Sequence, residues 1–120
     1  MARILVVDDA ILMRKMLSDI FTDAGHNVIG QAANGEEAVN QFSELSPDLV
    51  TMDVMMPLKN GVEAVREIIA AAPAAKIVMI SSIGQESMVV EAMTAGAGDY
   101  VVKPFRTDDV LSAANRLLED

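Results

Sequence analysis

Four short apolar runs in this chain each end on a charged or hydroxyl side chain, and few folds accommodate that repetition. Ile4-Leu5-Val6-Val7 leads into Asp8-Asp9, Leu49-Val50-Thr51-Met52 into Asp53, Ile77-Val78-Met79-Ile80 into Ser81, and Tyr100-Val101-Val102 into Lys103. Read as parallel strands of one sheet, the runs gather these polar side chains at its carboxyl edge, where open α/β sheets bind ligands. Three carboxylates, a hydroxyl and an ammonium in one crevice point to a divalent metal and a phosphoryl group.

Between the runs the apolar spacing becomes helical. Met13, Met16, Leu17, Ile20, Phe21 and Ala24 recur as one buried stripe, and Gly25 supplies a left-handed stop. A weaker strand around Val28-Ala32 follows. Asn34 with Glu37 then reads as a cap and its reciprocal partner for a helix through Leu45, closed by Pro47. Asn60 with Glu63 repeats that signal, with Val62, Val65, Ile68 and Ile69 facing the core until Pro73. A fourth helix is expected from about Gln85 to Gly96. A fifth begins at Thr107, has Asp108 and Asp109 at the positive end of its dipole, and buries Val110, Leu111, Ala114, Leu117 and Leu118.

Regular strand-helix alternation with short connections means right-handed crossovers and a parallel sheet covered on both faces. The strands at 4–7, 49–52 and 77–80 are near-continuously apolar, as central strands are, whereas Gly30 and Gln31 mark the second as an edge. The expected fold is α/β, a doubly wound five-stranded parallel sheet of order 2-1-3-4-5 with five helices, the flavodoxin-like arrangement. Its switch point, between strands one and three, brings Asp8, Asp9 and Asp53 together.

Composition narrows the alternatives. A chain of 120 residues that is 52% hydrophobic reads as one domain over 1–120 with a real core. The apolar start is one strand long and runs into two aspartates, so no signal peptide is read, and no apolar stretch approaches the roughly 20 residues of a membrane span. With no cysteine there is neither a disulfide framework nor a thiolate metal site, which fits the cytoplasm. A net charge of −9 without a Lys/Arg cluster disfavours nucleic acid and anionic membranes as partners.

Two carboxylates about 4 Å apart repel by roughly 4 kcal/mol at an effective dielectric of 20, so three in one pocket call for a cation. Oxygen-only ligands suit Mg²⁺, with Mn²⁺ as a substitute, better than zinc. One aspartate could serve as nucleophile, since aspartyl carboxylates form acyl-phosphates, while Lys103 and Ser81 contact the other phosphoryl oxygens.

The chain resembles the receiver domains of two-component response regulators from Arg3 to about Leu118. The likeness rests on Asp8-Asp9, on Asp53 followed by Met56-Pro57 and Asn60-Gly61, on Ser81, and on Lys103-Pro104-Phe105. Within that family it is most similar to single-domain chemotaxis regulators, through Met13-Arg14 after the aspartate pair, Asn34-Gly35-x-x-Ala38, Gly84-Gln85 and Ala95-Gly96-Ala97. The resemblance implies that Asp53 accepts a phosphoryl group from a sensor histidine kinase, of the chemotaxis type. It further implies that Asp8, Asp9, Asp53 and the backbone carbonyl of Met55 hold Mg²⁺. Ser81 would be the switch hydroxyl, Tyr100 the aromatic ring that turns inward with it, and Lys103-Pro104 a cis bond. Met55 and Ile83 are apolar where many relatives carry polar side chains.

The implied protein is a monomeric switch, an enzyme only in modifying itself. It would act on a downstream protein, such as a flagellar motor switch or an adaptor, through a face around Val89, Ala92, Tyr100 and Leu111. Alternatives are the receiver of another phosphorelay or of a chemotaxis methylesterase, or a haloacid-dehalogenase-like phosphatase. The last places its nucleophile in a D-x-D pair after the first strand, whereas Asp8 and Asp9 are adjacent. A flavin binder would need a Ser/Thr-rich phosphate loop, and no G-x-G-x-x-G or P-loop pattern is present. The clean end at Asp120 favours a stand-alone protein.

Taken singly, the residues have plainer readings. Asp8 or Asp9 could cap the first helix, Ser81 could be a loop hydroxyl and Lys103 a surface lysine. Met88 and Met93 read as core filler that could soften a binding face. His26 reads as a lone loop residue, and Phe105 as either core or interface.

Overall fold

The apolar runs form the strands the sequence predicts. A computed structural model describes residues Met1–Glu119, and the expectation drawn from the end at Asp120 lies outside the described residues. The elements in chain order are β1 (Arg3–Val7), α1 (Ile11–Asp23), β2 (Asn27–Ala32), α2 (Gly35–Leu45), β3 (Leu49–Asp53), α3 (Gly61–Ala71), β4 (Ile77–Ser82), α4 (Glu86–Ala95), β5 (Asp99–Lys103) and α5 (Thr107–Leu118). The strands pair in parallel in the order β2-β1-β3-β4-β5, as expected.

Successive strand residues face opposite sides of the sheet, so the apolar runs feed two cores. On one side Leu5, Val7, Val50, Met52 and Met79 pack against α2, α3 and α4 through Ala38, Val65, Ile68, Val89 and Ala92. On the other, Ile4, Val6, Leu49, Val78 and Ile80 pack against α1 and α5 through Leu17, Phe21, Val110, Ala113 and Ala114.

Helix ends follow their signals with one adjustment. Asn60 and Glu63 form the full capping box of α3, each side chain accepting from the other's backbone N–H at 2.9 and 3.0 Å. At α2 the Asn34 side chain accepts from Glu37 N–H at 2.8 Å, but Glu37 accepts from Ala33 N–H rather than from Asn34 N–H. The cap therefore reaches one residue further back. Gly96 ends α4 at φ 126°, a conformation that L side chains rarely adopt.

Two helical stripes are narrower than their spacing predicts. In α1 only Leu17 and Phe21 are buried; Met13 and Ile20 are half-buried, and Met16 and Ala24 are exposed. The sheet face beneath α1 is shared with α5, whose Val110, Ala113 and Ala114 fill the same core alongside Leu17 and Phe21. In α5 Ala113 joins Val110 and Ala114 in the core, leaving Leu111, Leu117 and Leu118 half-buried. Phe105 packs half-buried against the same core. His26 does more than a lone loop residue would: its Nδ1 accepts from Ala2 N–H at 3.0 Å, and its ring meets Phe21 edge-on.

Thr51 is fully buried in β3, between Val6 and Val78, and its hydroxyl has no hydrogen-bond partner among the described residues. An unpaired buried hydroxyl costs about 1–3 kcal/mol. Thr51→Val keeps the branched shape and removes that cost. The variant is expected to unfold at a higher urea concentration, by about 1 kcal/mol or more in stability. A lower midpoint would show that the hydroxyl is satisfied by an internal water.

Candidate functional site

Three aspartates stand where two neighbouring strands end. β1 pairs directly with β3, Val7 lying opposite Met52, so the residues that follow emerge side by side. Asp8, Asp9 and Asp53 each offer a carboxylate oxygen within 4.8 Å of the others; Asp8 and Asp53 are buried and Asp9 is exposed. Lys103, at the end of β5, reaches back over them. Its Nζ lies 3.1 Å from Asp8 Oδ2 and 3.3 Å from Asp53 Oδ1.

Hydrogen bonding divides the aspartates. The Asp8 carboxylate accepts from Ala10 N–H at 2.9 Å as well as from Lys103, so it also closes the turn leading into α1. The plainer reading of Asp8 or Asp9 as the cap of α1 does not hold: Ala10 stands at the N-cap without a side-chain bond, and of the backbone there Asp8 meets only the N–H of Ala10, ahead of the helix. Asp53 Oδ1 accepts from Val54 N–H at 3.0 Å and from Lys103, whereas no hydrogen bond among the described residues engages Oδ2. Nor does any engage the Asp9 carboxylate. An oxygen-only cluster with one exposed, unbonded carboxylate is a donor set that suits a hard divalent cation.

The charges oppose one another. Burial first, and then the neighbouring Asp8, push the pKa of Asp53 up from 3.8 to about 6, although Lys103 pulls it down. Burial works against the charged form of Lys103 too, yet the Asp53 and Asp8 charges outweigh it, and its pKa is raised. One ammonium leaves three clustered carboxylates only partly compensated.

Backbone packing fixes Asp53. Gly61 N–H donates to Val54 O at 2.7 Å, and a Cβ on Gly61 would collide with the backbone carbonyl of Asp53. Gly35 N–H likewise donates to Lys59 O at 2.9 Å, tying the start of α2 to the loop beyond Asp53. Asn60 with Glu63 signals a helix start in the sequence, but this close approach of Gly61 could not be read from it.

Ser81 is buried at the end of β4, opposite Val102. Tyr100 is 49% exposed on β5, and the two residues line a common cavity of about 290 Å³ with Val89, Val90, Met93 and Val102. Met55 and Ile83 are exposed beside the carboxyl edge. The Lys103-Pro104 bond is cis, as the sequence resemblance implies. The expected output face needs correction at two positions: Val89 and Ala92 point into the core, because they lie on the inner side of α4. Val90, Tyr100 and Val102 are the exposed apolar residues there, and Leu111 is half-buried.

The chain matches the family model of the response regulator receiver domain over residues 4–115. It is 52% identical over 115 residues to the chemotaxis protein CheY of Thermotoga maritima, covering 96% of both chains. It is 50% identical over 116 residues to CheY of Bacillus subtilis, covering 97% of both. The structure is similar to a crystal structure of the CheX-CheY-BeF3-Mg²⁺ complex from Borrelia burgdorferi, with a TM-score of 0.91, 35% identity and coverage of 96% of this chain and 87% of that one.

The raised pKa of Asp53 has a measurable consequence. The folded state holds the Asp53 proton more tightly than the unfolded state, so stability falls as pH rises from about 3.8 to about 6 and levels off above. In chelator, Asp53→Asn is expected to exceed the wild type by about 3 kcal/mol at pH 7.5, the difference vanishing near pH 4. Urea titrations across that range measure it. A difference that does not vary with pH would show that Asp53 is not the strained carboxylate.

Proposed function

The chain belongs to the response regulator receiver family and is homologous to CheY, and from that premise we propose that residues 1–120 form one receiver domain phosphorylated on Asp53 in chemotaxis signalling. The observation that most supports this is the cluster of Asp8, Asp9 and Asp53 oxygens within 4.8 Å, with Lys103 bonded to two of the three. A structural cluster would gain nothing from three mutually repelling carboxylates.

Val54 N–H and Lys103 hold Oδ1 of Asp53, so Oδ2 is the oxygen with lone pairs to spare. In the transfer, a bond forms between Oδ2 and phosphorus while the phosphorus–nitrogen bond of a sensor kinase's phosphohistidine breaks. The bonding pair stays on that nitrogen, and a proton on the other ring nitrogen lets histidine leave neutral. Asp8, Asp9, Asp53 and the Met55 carbonyl would hold Mg²⁺, with Mn²⁺ as a substitute, and the bound ion supplies charge neutralisation on the phosphoryl oxygens. Lys103 then bonds a second phosphoryl oxygen and Ser81 a third.

Phosphorylation replaces the single negative charge of the Asp53 carboxylate with the roughly −1.5 to −2 of a phosphoryl group, beside the cavity shared by Ser81 and Tyr100. Drawing Ser81 toward it would open space for the exposed Tyr100 ring to turn inward. The face carrying Val90, Tyr100 and Val102 changes with it, for a downstream partner such as a flagellar motor switch or adaptor. Beyond its own phosphorylation and dephosphorylation the domain has no enzymatic role in this reading. No helix among the described residues is long and apolar enough to cross a membrane, and the reading places the protein in the cytoplasm as a monomer.

Incubation with acetyl phosphate followed by intact mass tests the chemistry. One added phosphoryl group is expected with Mg²⁺, none after chelation, and none in Asp53→Ala. Absence of the adduct under every condition, a cognate-type histidine kinase included, would remove the phosphoswitch reading.

A further inference from the structure

Arg14 lies in the Met13-Arg14 pair that helped mark the sequence, yet neither the pocket chemistry nor the switch uses it. Its guanidinium Nη1 donates to the backbone carbonyl of Asp8 at 2.8 Å, while Nε reaches Gln31 Oε1 at 3.3 Å. Gln31 is in turn held by Gln41, whose side-chain amide donates to its carbonyl at 2.8 Å. Half-buried Arg14 thus links α1 to the edge strand and, through it, to α2.

The carbonyl it holds belongs to the peptide bond between Asp8 and Asp9. With that bond, every polar group of Asp8 is engaged: N–H donates to Ala32 O at 3.0 Å, Oδ1 and Oδ2 accept from Ala10 and Lys103, and the carbonyl accepts from Arg14. The Asp9 carboxylate has no hydrogen bond among the described residues. Its place in the pocket is set by its backbone, and a planar peptide transmits the orientation of the Asp8 carbonyl to the Asp9 nitrogen and Cα.

We propose that Arg14 is a positioning residue for the acidic pocket: by clamping the Asp8–Asp9 peptide it aims the Asp9 carboxylate and strengthens divalent-cation binding. The inference rests on the metal-binding reading above. Groups that orient metal ligands commonly matter tenfold or more in affinity. Simple electrostatics predicts the opposite sign. Arg14 is a cation beside an acidic pocket, so its charge alone would weaken binding of Mg²⁺, and neutralising it would tighten binding.

Titration calorimetry with Mg²⁺ on chelator-treated protein separates the two. Arg14→Met, which keeps an apolar stem without charge or donors, is expected to bind Mg²⁺ about tenfold more weakly than the wild type. Arg14→Lys, which retains the charge but not the fork, should fall between. Gln31→Ala, which leaves the bond to Asp8 in place, should bind nearly as the wild type does. In the acetyl phosphate reaction the Mg²⁺ concentration for half-maximal rate should rise in Arg14→Met while the plateau recovers; a general loss of stability would instead lower the thermal midpoint without that shift. Arg14→Met binding Mg²⁺ as tightly as the wild type, or more tightly, would overturn the positioning role alone. A wild type that binds no Mg²⁺ would overturn the metal reading and this inference together. If Arg14→Met does not fold, Arg14→Lys decides, with wild-type affinity counting against the proposal.

Discussion

The Lys103 ammonium, 3.1 Å from Asp8 and 3.3 Å from Asp53, is the interaction around which the rest of the structure is arranged. Pairing β1 with β3 is what a doubly wound sheet of this order does, and it forces buried carboxylates together at the switch point. Lys103 comes from β5, two strands away from β3, so only a chain that has completed its sheet can deliver the countercharge. The compensation stays incomplete, as the raised pKa of Asp53 records. A single ammonium serving two carboxylates holds the pocket closed enough to fold and leaves it electrostatically disposed toward a divalent cation.

Much of this was legible in the chain because strand periodicity and strand-end chemistry are local. A run such as Ile77-Val78-Met79-Ile80 is buried on both faces of a parallel sheet, so its pattern needs no knowledge of partners. Ser81 and Lys103 were placed by where such runs stop. What could not be read was anything decided by neighbours in space. Met16 and Ala24 satisfy the spacing of a buried stripe, but α1 shares its sheet face with α5, and only Leu17 and Phe21 reach full burial. Val89 and Ala92 were expected outside and face inward, since α4 shows an apolar residue on nearly every side and only its docking against the sheet selects one. The Arg14 bond to a backbone carbonyl and the Gly61 approach to Asp53 leave no pattern in a single sequence.

The aspartates illustrate how one residue type divides into different tasks. Asp8 spends both oxygens on protein donors, one of them the turn that starts α1, so it behaves as part of the scaffold as much as part of the pocket. Asp53 is half committed, with Oδ1 held and Oδ2 not. Asp9 is exposed and uncommitted. That gradient, from fully bonded to free, follows from depth: a buried carboxylate without donors would be too costly to keep, and an exposed one can wait for a ligand in water.

The two sides of β3 are built with different stiffness. Toward α2 and α3, Gly61 and Gly35 permit backbone-to-backbone contacts, and the Asn60–Glu63 box locks the start of α3, so the loop after Asp53 has little room to shift. Toward β4 and β5 there is a cavity of about 290 Å³ between Ser81 and a half-exposed Tyr100. Close-packed groups can move only where volume is available. New charge on Asp53 therefore meets a fixed wall on one side and adjustable side chains on the other, which in the proposed function gives the signal a direction: through Ser81 and Tyr100 to the surface where Val90 and Val102 are already exposed.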